Sequence, residues 1–243
     1  PDESHLACLR ARLRPEVQLT DGADFDILVA GRPDHEHIEA SRRLRALVIP
    51  YAGLPAETRT LMLQHPEISV HNLHHKALAT AEMALALMLA AAKAIIPSDR
   101  ALRHHDWRPR YRSYEGILLT GKTTLILGYG AVGRQVGKLC NGLGMEILAT
   151  RRSVGEASDG IVHPAEALPA LLPRADVLFI TLPLTDETRG LLGRHELALL
   201  PSHAILVNVG RGPIVDEPAL YTALRAGRIR AAALDVWYSY PDD

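Results

Sequence analysis

Short apolar runs alternate with polar stretches along the first part of the chain. The runs at residues 25–30 (FDILVA) and 46–49 (ALVI) predict buried strands, and the polar stretch at 35–45 between them predicts a helix. A further short strand is expected at 68–70, and a helix at 5–12. This rhythm is typical of an α/β layer built on a parallel sheet.

A long apolar helix follows and leads into a second alternating region. The run at 77–96 is rich in Ala, Leu and Met, which favour helices, and is expected to end at Pro97. Its most apolar part is far shorter than the roughly 20 residues that cross a bilayer, so we expect a buried helix. From Gly121 onward, five strands are predicted at 123–127, 146–150, 177–182, 204–208 and 231–236, with helices at 130–143, 164–172, 194–199 and 218–226 between them.

Composition and charge narrow the class of protein. The 243 residues are 47% hydrophobic, enough to form a core in one large or two small domains. The 27 basic and 28 acidic residues give a net charge of −1, which argues against a nucleic-acid surface. Cys8 and Cys140 fit neither a disulfide framework nor a zinc site, so we expect a reduced, cytoplasmic protein. The chain begins at Pro1, not at a methionine, and ends at Asp243, and we expect both ends to be trimmed from a longer protein.

The sharpest local signal is a glycine pattern after the strand at 123–127. Gly128, Gly130 and Gly133 have the spacing G-x-G-x-x-G between an apolar strand and a helix. In this pattern the first glycine allows a tight turn, the second lets the backbone approach a pyrophosphate, and the third permits close packing of helix on strand. Free amides at the helix start, including those of Ala131 and Val132, would face the phosphates. The pattern predicts dinucleotide binding.

The end of the next strand bears on which dinucleotide binds. An acidic residue there would hydrogen-bond the ribose hydroxyls of NAD, but this chain has Arg151, Arg152 and Ser153. Guanidinium groups attract a 2′-phosphate and can bind it with paired donors. We therefore expect NADP to be preferred, with NAD possible if the two arginines form only a solvated turn.

Three blocks after the glycine motif resemble the D-isomer-specific 2-hydroxyacid dehydrogenase family. They are ADVLFITLPLTDET at 175–188, NVGRGPIVDE at 208–217 and ALDV at 233–236, in the family's order and spacing. The resemblance covers about 77–241, and it is weaker before that, through IPYAG at 49–53 and VHN at 70–72. It implies a doubly wound parallel Rossmann domain at 79–243 and a smaller, incomplete flavodoxin-like α/β substrate domain at 1–78, with substrate bound between them.

The resemblance also implies roles for individual residues. Arg211 matches the arginine that holds the substrate carboxylate and polarises the carbonyl, and Ala52 and Gly53 match the loop whose amides bind that carboxylate. Hydride transfer develops negative charge on the carbonyl oxygen, which a fixed cation stabilises. Asp235 matches the residue that orients the nicotinamide carboxamide. Beyond the glycine motif and the arginines, the resemblance implies that the cofactor is contacted by Thr181, Leu182, Pro183, Val209 and Asp235.

One position departs from the family's pattern. Tyr240 stands where the family has a glutamate that orients a catalytic histidine and raises its pKa. Tyrosine can still hydrogen-bond a histidine but carries no charge at neutral pH, so the histidine should be less basic. That histidine is expected in a segment beyond Asp243. His74 and His75 are weaker candidates for a general acid, and no metal site is expected.

Together these features predict an NAD(P)-dependent oxidoreductase acting on a small 2-keto acid or D-2-hydroxy acid, such as glyoxylate or hydroxypyruvate. The resemblance further implies a homodimer, and the charge balance and the length of the apolar helix lead us to expect no nucleic-acid or membrane partner. The alternative is a dinucleotide-sensing binding module, like the family's corepressor relatives, that has lost catalysis.

Overall fold

The computed structural model describes residues 3–20, 22–111, 116–152 and 160–240. The chain divides into two compact units, Pro1–His75 and Lys76–Asp243. The division therefore falls after His75, whereas the sequence analysis placed it after Leu78. A role for the first unit in binding substrate stays a prediction.

The first unit is a small three-stranded parallel sheet with helices. Its three strands lie side by side in chain order. Buried side chains from the middle strand and from two of the helices form most of its core, among them Ile38, Leu47, Ile49 and Leu61. The elements in chain order are α1 (Glu3–Arg10), β1 (Ile27–Val29), α2 (His35–Glu39), β2 (Ala46–Ile49), α3 (Ala56–Met62) and β3 (Ser69–Asn72).

Helix α2 is shorter than the predicted helix at 35–45. Its start is capped by Asp34, whose carboxylate accepts a hydrogen bond from the His37 amide at 2.9 Å. Soon after it ends, Ser41 donates its hydroxyl to the Phe25 carbonyl at 2.7 Å and accepts from the Arg43 amide at 3.1 Å. These bonds turn the chain toward β2, because a serine side chain offers the backbone an alternative to the helical bond.

The second unit contains a six-stranded parallel sheet. Its elements are α4 (Ala77–Ala92), α5 (Ile95–Arg103), β4 (Thr123–Leu127), α6 (Ala131–Gly142), β5 (Glu146–Arg151), β6 (Val162–Pro164), α7 (Leu168–Leu171), β7 (Val177–Ile180), α8 (Arg194–Leu199), β8 (Ile205–Asn208), α9 (Glu217–Arg225) and β9 (Ala231–Leu234). Short 3₁₀ segments lie at Arg108–Tyr111, Ala165–Ala167, Leu172–Arg174 and Gly212–Ile214. Strand β6 was not predicted.

The strand order β6-β5-β4-β7-β8-β9 confirms the Rossmann α/β class. The chain runs outward from β4 in one direction and then outward from β7 in the other, so the order reverses between these two strands. Alternate side chains of β4 enter different layers: Leu125 and Leu127 pack in one core, and Ile126 packs in the other. Burial on both faces explains why the central strands are continuous apolar runs.

The predicted helix at 77–96 is in fact two helices. Ala94 adopts φ = 51°, in the left-handed region, and breaks the helix between α4 and α5. The expectation that Pro97 ends the helix was wrong, because Pro97 lies in the first turn of α5, where its missing amide proton breaks no helical bond. Within the described ranges no single helix is long and apolar enough to span a bilayer. The α4–α5 pair passes that test together but is bent by 62°.

Asp176 holds together the amino ends of three central strands. Its carboxylate accepts hydrogen bonds from the Thr123 amide at 2.8 Å and from His203 Nε2 at 2.7 Å, and Lys122 Nζ lies 3.3 Å away. Burial raises the pKa of this carboxyl, but the amide, imidazole and ammonium groups outweigh burial and lower the pKa below its usual value. This edge of the sheet lies opposite the carboxyl ends where ligands of such folds bind.

Candidate active site

The glycine turn after β4 is fastened to the neighbouring strand. Gly128 adopts φ = 96°, which favours glycine because it has no Cβ. The amides of Gly128 and Tyr129 both donate to the Thr150 carbonyl, at 3.1 and 3.0 Å. The turn therefore rests on the carboxyl end of β5 as well as on its own strand.

The other two glycines of the motif have opposite surroundings. A Cβ on Gly133 would run into the carbonyl oxygen of Gly128 and would lie 3.1 Å from Thr181 Oγ1, so the close packing of α6 requires glycine. Gly130 is exposed, with φ = −87°, and a Cβ there would meet no atom within 4 Å. Protein packing therefore does not require glycine at 130, and a ligand could approach the backbone there.

The start of α6 offers hydrogen-bond donors beside Gly130. Gly130 is the N-cap and supplies no side-chain cap, and Ala131 and Val132 are the first helical residues. Amides in the first turn of a helix have no acceptor within the helix, and the helix dipole favours negative charge there. This donor set suits the pyrophosphate of a dinucleotide.

Two arginines follow at the end of β5. Arg151 is the last residue of the strand, and the side chains of Arg151 and Arg152 are both exposed. Ser153, which the sequence analysis grouped with them, lies outside the described residues. The two guanidinium groups carry positive charge at the end of β5. In such folds the adenosine ribose of a dinucleotide lies beside this strand end.

The loop after β7 packs directly on the glycine turn. Thr181 donates its hydroxyl to the Gly128 carbonyl at 2.7 Å and its amide to the Leu127 carbonyl at 2.9 Å. Leu182 also packs on Gly128, since its Cδ2 would lie 3.0 Å from a Cβ there. Pro183 is exposed. The structure thus brings the predicted Thr181–Leu182 loop and the glycine motif together.

A buried asparagine fixes the backbone of Arg211. Asn208 ends β8 and is fully buried; its Oδ1 accepts from the Gly210 amide and its Nδ2 donates to the Arg211 carbonyl, both at 3.0 Å. Val209 is buried, and its amide donates to the Ile180 carbonyl at 3.1 Å. The side chain of Arg211 is exposed. Sequence reasoning missed the role of Asn208, although an amide at the end of an apolar strand, just before Gly-Arg-Gly, is a signal for it.

The segment after β9 lies beside the same turn. The Asp235 amide donates to the Asn208 carbonyl at 3.0 Å, and the Asp235 side chain is exposed. A Cβ on Gly212 would run into the Trp237 carbonyl oxygen, so this glycine lets the two backbones meet. The structure therefore brings the backbones of Arg211 and Asp235 to the same edge of the sheet.

Tyr240 lies at the end of this segment. Its side chain is 59% exposed, and its hydroxyl accepts a hydrogen bond from the Trp237 amide at 3.2 Å. Tyr238 lies two residues before it. Burial raises the pKa of Tyr238 to about 12, and the negative charges of Glu217 and Asp216 add smaller contributions. A catalytic role for Tyr240 stays a prediction, and the following Pro241 lies outside the described residues.

Ala52 and Gly53 lie in an exposed loop after β2, in the first unit. Asn72 Nδ2 donates to the Ala52 carbonyl at 2.8 Å. His74 and His75, the weaker candidates for a general acid, are exposed. In the part of the chain that the structure describes, no three His, Cys, Asp or Glu side chains cluster closely enough to hold a metal ion.

Sequence relatives are dehydrogenases and reductases. The chain is 39% identical over 237 residues to D-3-phosphoglycerate dehydrogenase of Methanocaldococcus jannaschii, covering 94% of this chain and 44% of that protein. It is 34% identical over 242 residues to glyoxylate reductase of Thermococcus kodakarensis, covering 93% of this chain and 71% of that protein. The chain thus spans less than half the length of the phosphoglycerate dehydrogenase.

Solved structures show the same fold. A glycerate dehydrogenase related protein from Thermoplasma acidophilum superposes with a TM-score of 0.75 at 27% identity, over 99% of this chain and 83% of that one. A D-isomer specific 2-hydroxyacid dehydrogenase from Xanthobacter autotrophicus Py2, solved in complex with NADPH and MES, gives a TM-score of 0.73 at 29% identity, over 89% and 68%.

A family model covers most of the second unit. The model described as the NAD binding domain of D-isomer specific 2-hydroxyacid dehydrogenase matches residues 85–243, which include the glycine motif, Arg211 and Asp235. With the sheet order and the relatives, this match shows that the chain belongs to the D-isomer specific 2-hydroxyacid dehydrogenase family.

Proposed function

We propose that the protein is an NAD(P)-dependent oxidoreductase that interconverts a small 2-keto acid and its D-2-hydroxy acid. The observation that carries this proposal is the placement of the Arg211 backbone, the Asp235 backbone and the glycine turn at one edge of the sheet. Glyoxylate and hydroxypyruvate are the first substrates to test, and the glyoxylate reductases among the relatives support that choice. The phosphoglycerate dehydrogenases add 3-phosphohydroxypyruvate to the panel.

The cofactor would be held mainly by backbone groups. The amides of Ala131 and Val132 would bind the pyrophosphate beside Gly130, and Asp235 would orient the carboxamide. The loop Thr181–Leu182–Pro183 and Val209 would lie along the cofactor. When bound, the reduced nicotinamide would supply a hydride to the carbonyl carbon, and the carbonyl oxygen would take up a proton.

Arg211 would act on the substrate. Its guanidinium can bind the carboxylate with two parallel donors, and its positive charge stabilises the negative charge that develops on the carbonyl oxygen. Asn208 keeps the backbone of Arg211 in place without touching the substrate. We also propose that the amides of Ala52 and Gly53 bind the substrate carboxylate.

Turnover by arginine variants tests this role. The kcat/KM for each keto acid is measured from steady-state NADPH oxidation. In Arg211→Ala it should fall about 10²- to 10³-fold, because the loss of one preorganised donor typically costs that much. Arg211→Lys should retain more activity but stay impaired, because lysine lacks the paired donors. Arg228→Ala is the matched control: this exposed arginine precedes β9, at the opposite edge of the sheet. Unchanged turnover in Arg211→Ala would refute the assignment.

The two arginines after β5 give a test of cofactor preference. We propose that Arg151 and Arg152 bind a 2′-phosphate, so that NADPH binds more tightly than NADH. Replacing either by Ala should weaken NADPH binding about tenfold, as expected for a charge-assisted hydrogen bond, and leave NADH binding unchanged. An equal loss of affinity for NADPH and NADH would show that the arginines do not bind the 2′-phosphate.

A homodimer is also proposed. Ile95, Ile96 and Leu102 on α5 leave about half of their side chains exposed, and a second copy of the chain could cover them. Light scattering should give twice the chain mass, and Ile96→Glu should give the single mass while retaining NADPH binding. A monomeric native protein would contradict this proposal. We propose a cytoplasmic location, which cell fractionation tests.

The alternative function is a dinucleotide-sensing binding module. It is favoured by one observation: the position of the family's glutamate is occupied by Tyr240, whose hydroxyl is engaged by the Trp237 amide. Tight NADPH binding without turnover of any keto acid, together with association that depends on the cofactor, would support this function over catalysis.

A further inference from the structure

The exposed loop after β2 is tied at two points. At its start, the Tyr51 hydroxyl donates to the Gly31 carbonyl at 2.7 Å, and its ring lies against Gly31, where a Cβ would come within 2.7 Å of the ring. Further along, Asn72 Nδ2 donates to the Ala52 carbonyl at 2.8 Å. The first tie reaches the segment just after β1, and the second reaches the last residue of β3.

Packing contributes little to holding Ala52 and Gly53. Ala52 and Gly53 are exposed, and a Cβ on Gly53 would meet no atom within 4 Å. Asn72 is well placed to act instead, because it pairs in register with Ile49, the buried last residue of β2. Its side chain therefore starts from a fixed point of the sheet and reaches a backbone carbonyl three residues beyond β2.

The bond to the Ala52 carbonyl also orients the next amide. In a trans peptide unit the C=O of one residue and the N–H of the next point in opposite directions. The described residues contain no cis peptide bond. By holding the Ala52 oxygen toward itself, Asn72 directs the Gly53 N–H away from β3.

We propose that Asn72 is a positioning residue that presents the Gly53 amide to the substrate carboxylate, and that Tyr51 supports it by anchoring the start of the loop. This inference rests on the proposed function, in which the loop amides bind that carboxylate. Neither side chain needs to touch the substrate. A donor fixed before the substrate arrives binds more tightly than one that must first be ordered.

Three variants of the full-length protein test the inference. Asn72→Ala and Tyr51→Phe each remove one tie, whereas Thr60→Val removes a similar side-chain to backbone hydrogen bond, from Thr60 Oγ1 to the Ala56 carbonyl at 3.0 Å on α3. Asn72→Ala should raise KM for the keto acid about fivefold, the loss expected for one hydrogen bond. Tyr51→Phe should raise it less. In both, kcat and KM for NADPH should stay unchanged, and Thr60→Val should match the native protein.

Binding of oxamate, a non-reacting analogue of a 2-keto acid, gives a second readout by calorimetry. Its Kd should rise in Asn72→Ala by the same factor as KM. If the native protein turns over keto acids but Asn72→Ala has an unchanged KM, the positioning role is wrong while the proposed function stands. A parallel loss of kcat, NADPH affinity and thermal stability would also overturn the inference, since it would indicate a general structural role. If the native protein neither turns over keto acids nor binds oxamate, the proposed function fails, and the inference fails with it.

Discussion

Alanine at Gly130 and alanine at Gly133 should separate cofactor binding from folding, because the two glycines have different surroundings. In Gly133→Ala the new Cβ runs into the Gly128 carbonyl oxygen and crowds Thr181 Oγ1, so the backbone of the turn must shift. In Gly130→Ala the new Cβ enters open space, and the φ of −87° is not in the left-handed region that favours glycine. The first change strains the protein, and the second fills the place proposed for the pyrophosphate.

The expected magnitudes follow from these contacts. Overpacking a close contact costs about 1–3 kcal/mol, and Gly133→Ala also threatens the 2.7 Å hydrogen bond between Thr181 and Gly128, worth about 1 kcal/mol. We therefore expect Gly133→Ala to lose about 2–3 kcal/mol of the free energy of unfolding. For Gly130→Ala, the lower entropy of the unfolded chain and the poorer N-cap offset each other, leaving a change of about 0.5 kcal/mol or less. Its NADPH Kd should rise at least about tenfold, or about 1.4 kcal/mol.

Urea unfolding and NADPH fluorescence titration measure the two effects separately. Gly130→Ala should unfold like the native protein and bind NADPH poorly. Gly133→Ala should unfold at a lower urea concentration, and in a thermal unfolding experiment it should melt several degrees lower, at about 2–4 °C per kcal/mol for a domain of this size. Native affinity in Gly130→Ala would refute the proposed pyrophosphate position, and native stability in Gly133→Ala would refute the packing argument.

Two further predictions concern charge and thiol reactivity. Asp176→Asn should destabilise the protein by about 1 kcal/mol at pH 7, because a neutral amide cannot pair with the Lys122 ammonium and accepts hydrogen bonds more weakly than a carboxylate. The folded-state pKa of Asp176 lies below its usual value of 3.8, so its stabilisation is complete above that pH and is lost as pH falls through the folded-state pKa. The difference in free energy of unfolding between native protein and variant, measured by urea unfolding, should therefore shrink as the pH is lowered. A difference that does not change with pH would contradict the ion pairing. Burial raises the pKa of Cys140 to about 11, whereas Cys8 is exposed, so a thiol reagent at pH 8 should titrate one thiol in the folded protein and two in urea. Fast labelling of both without denaturant would show that Cys140 is accessible.

Much of the second unit was predictable because its central strands are apolar runs long enough to stand out. Strands β4, β7 and β8 appear within a few residues of their predicted positions. Strand β6 has only three residues, including Pro164, and it forms by pairing with β5, a contact that no local pattern shows. The break at Ala94 was equally hidden, since alanine favours helix and adopts a left-handed conformation here only in its tertiary setting.

The candidate site divides in the same way. The glycine turn was predictable because its spacing places it between a strand and a helix, and Arg211 because the block around it resembles the family's. The bonds made by Asn208 and Asn72 were not, because an asparagine can donate to many carbonyls and the sequence does not show which one it meets. Asn72 and Ala52 are 20 residues apart in the chain and meet only because β2 and β3 pair side by side.

The fastening of the glycine turn has a consequence for how quickly a ligand is captured. The turn is held by bonds within the protein: the Gly128 and Tyr129 amides donate to the Thr150 carbonyl, and the Thr181 hydroxyl donates to the Gly128 carbonyl. A site that is already ordered needs no conformational step before docking, so association should depend on diffusion and on the charge near the helix start. Stopped-flow rates should then rise linearly with NADPH concentration, without a plateau, and should fall as salt screens the approach of an anionic ligand.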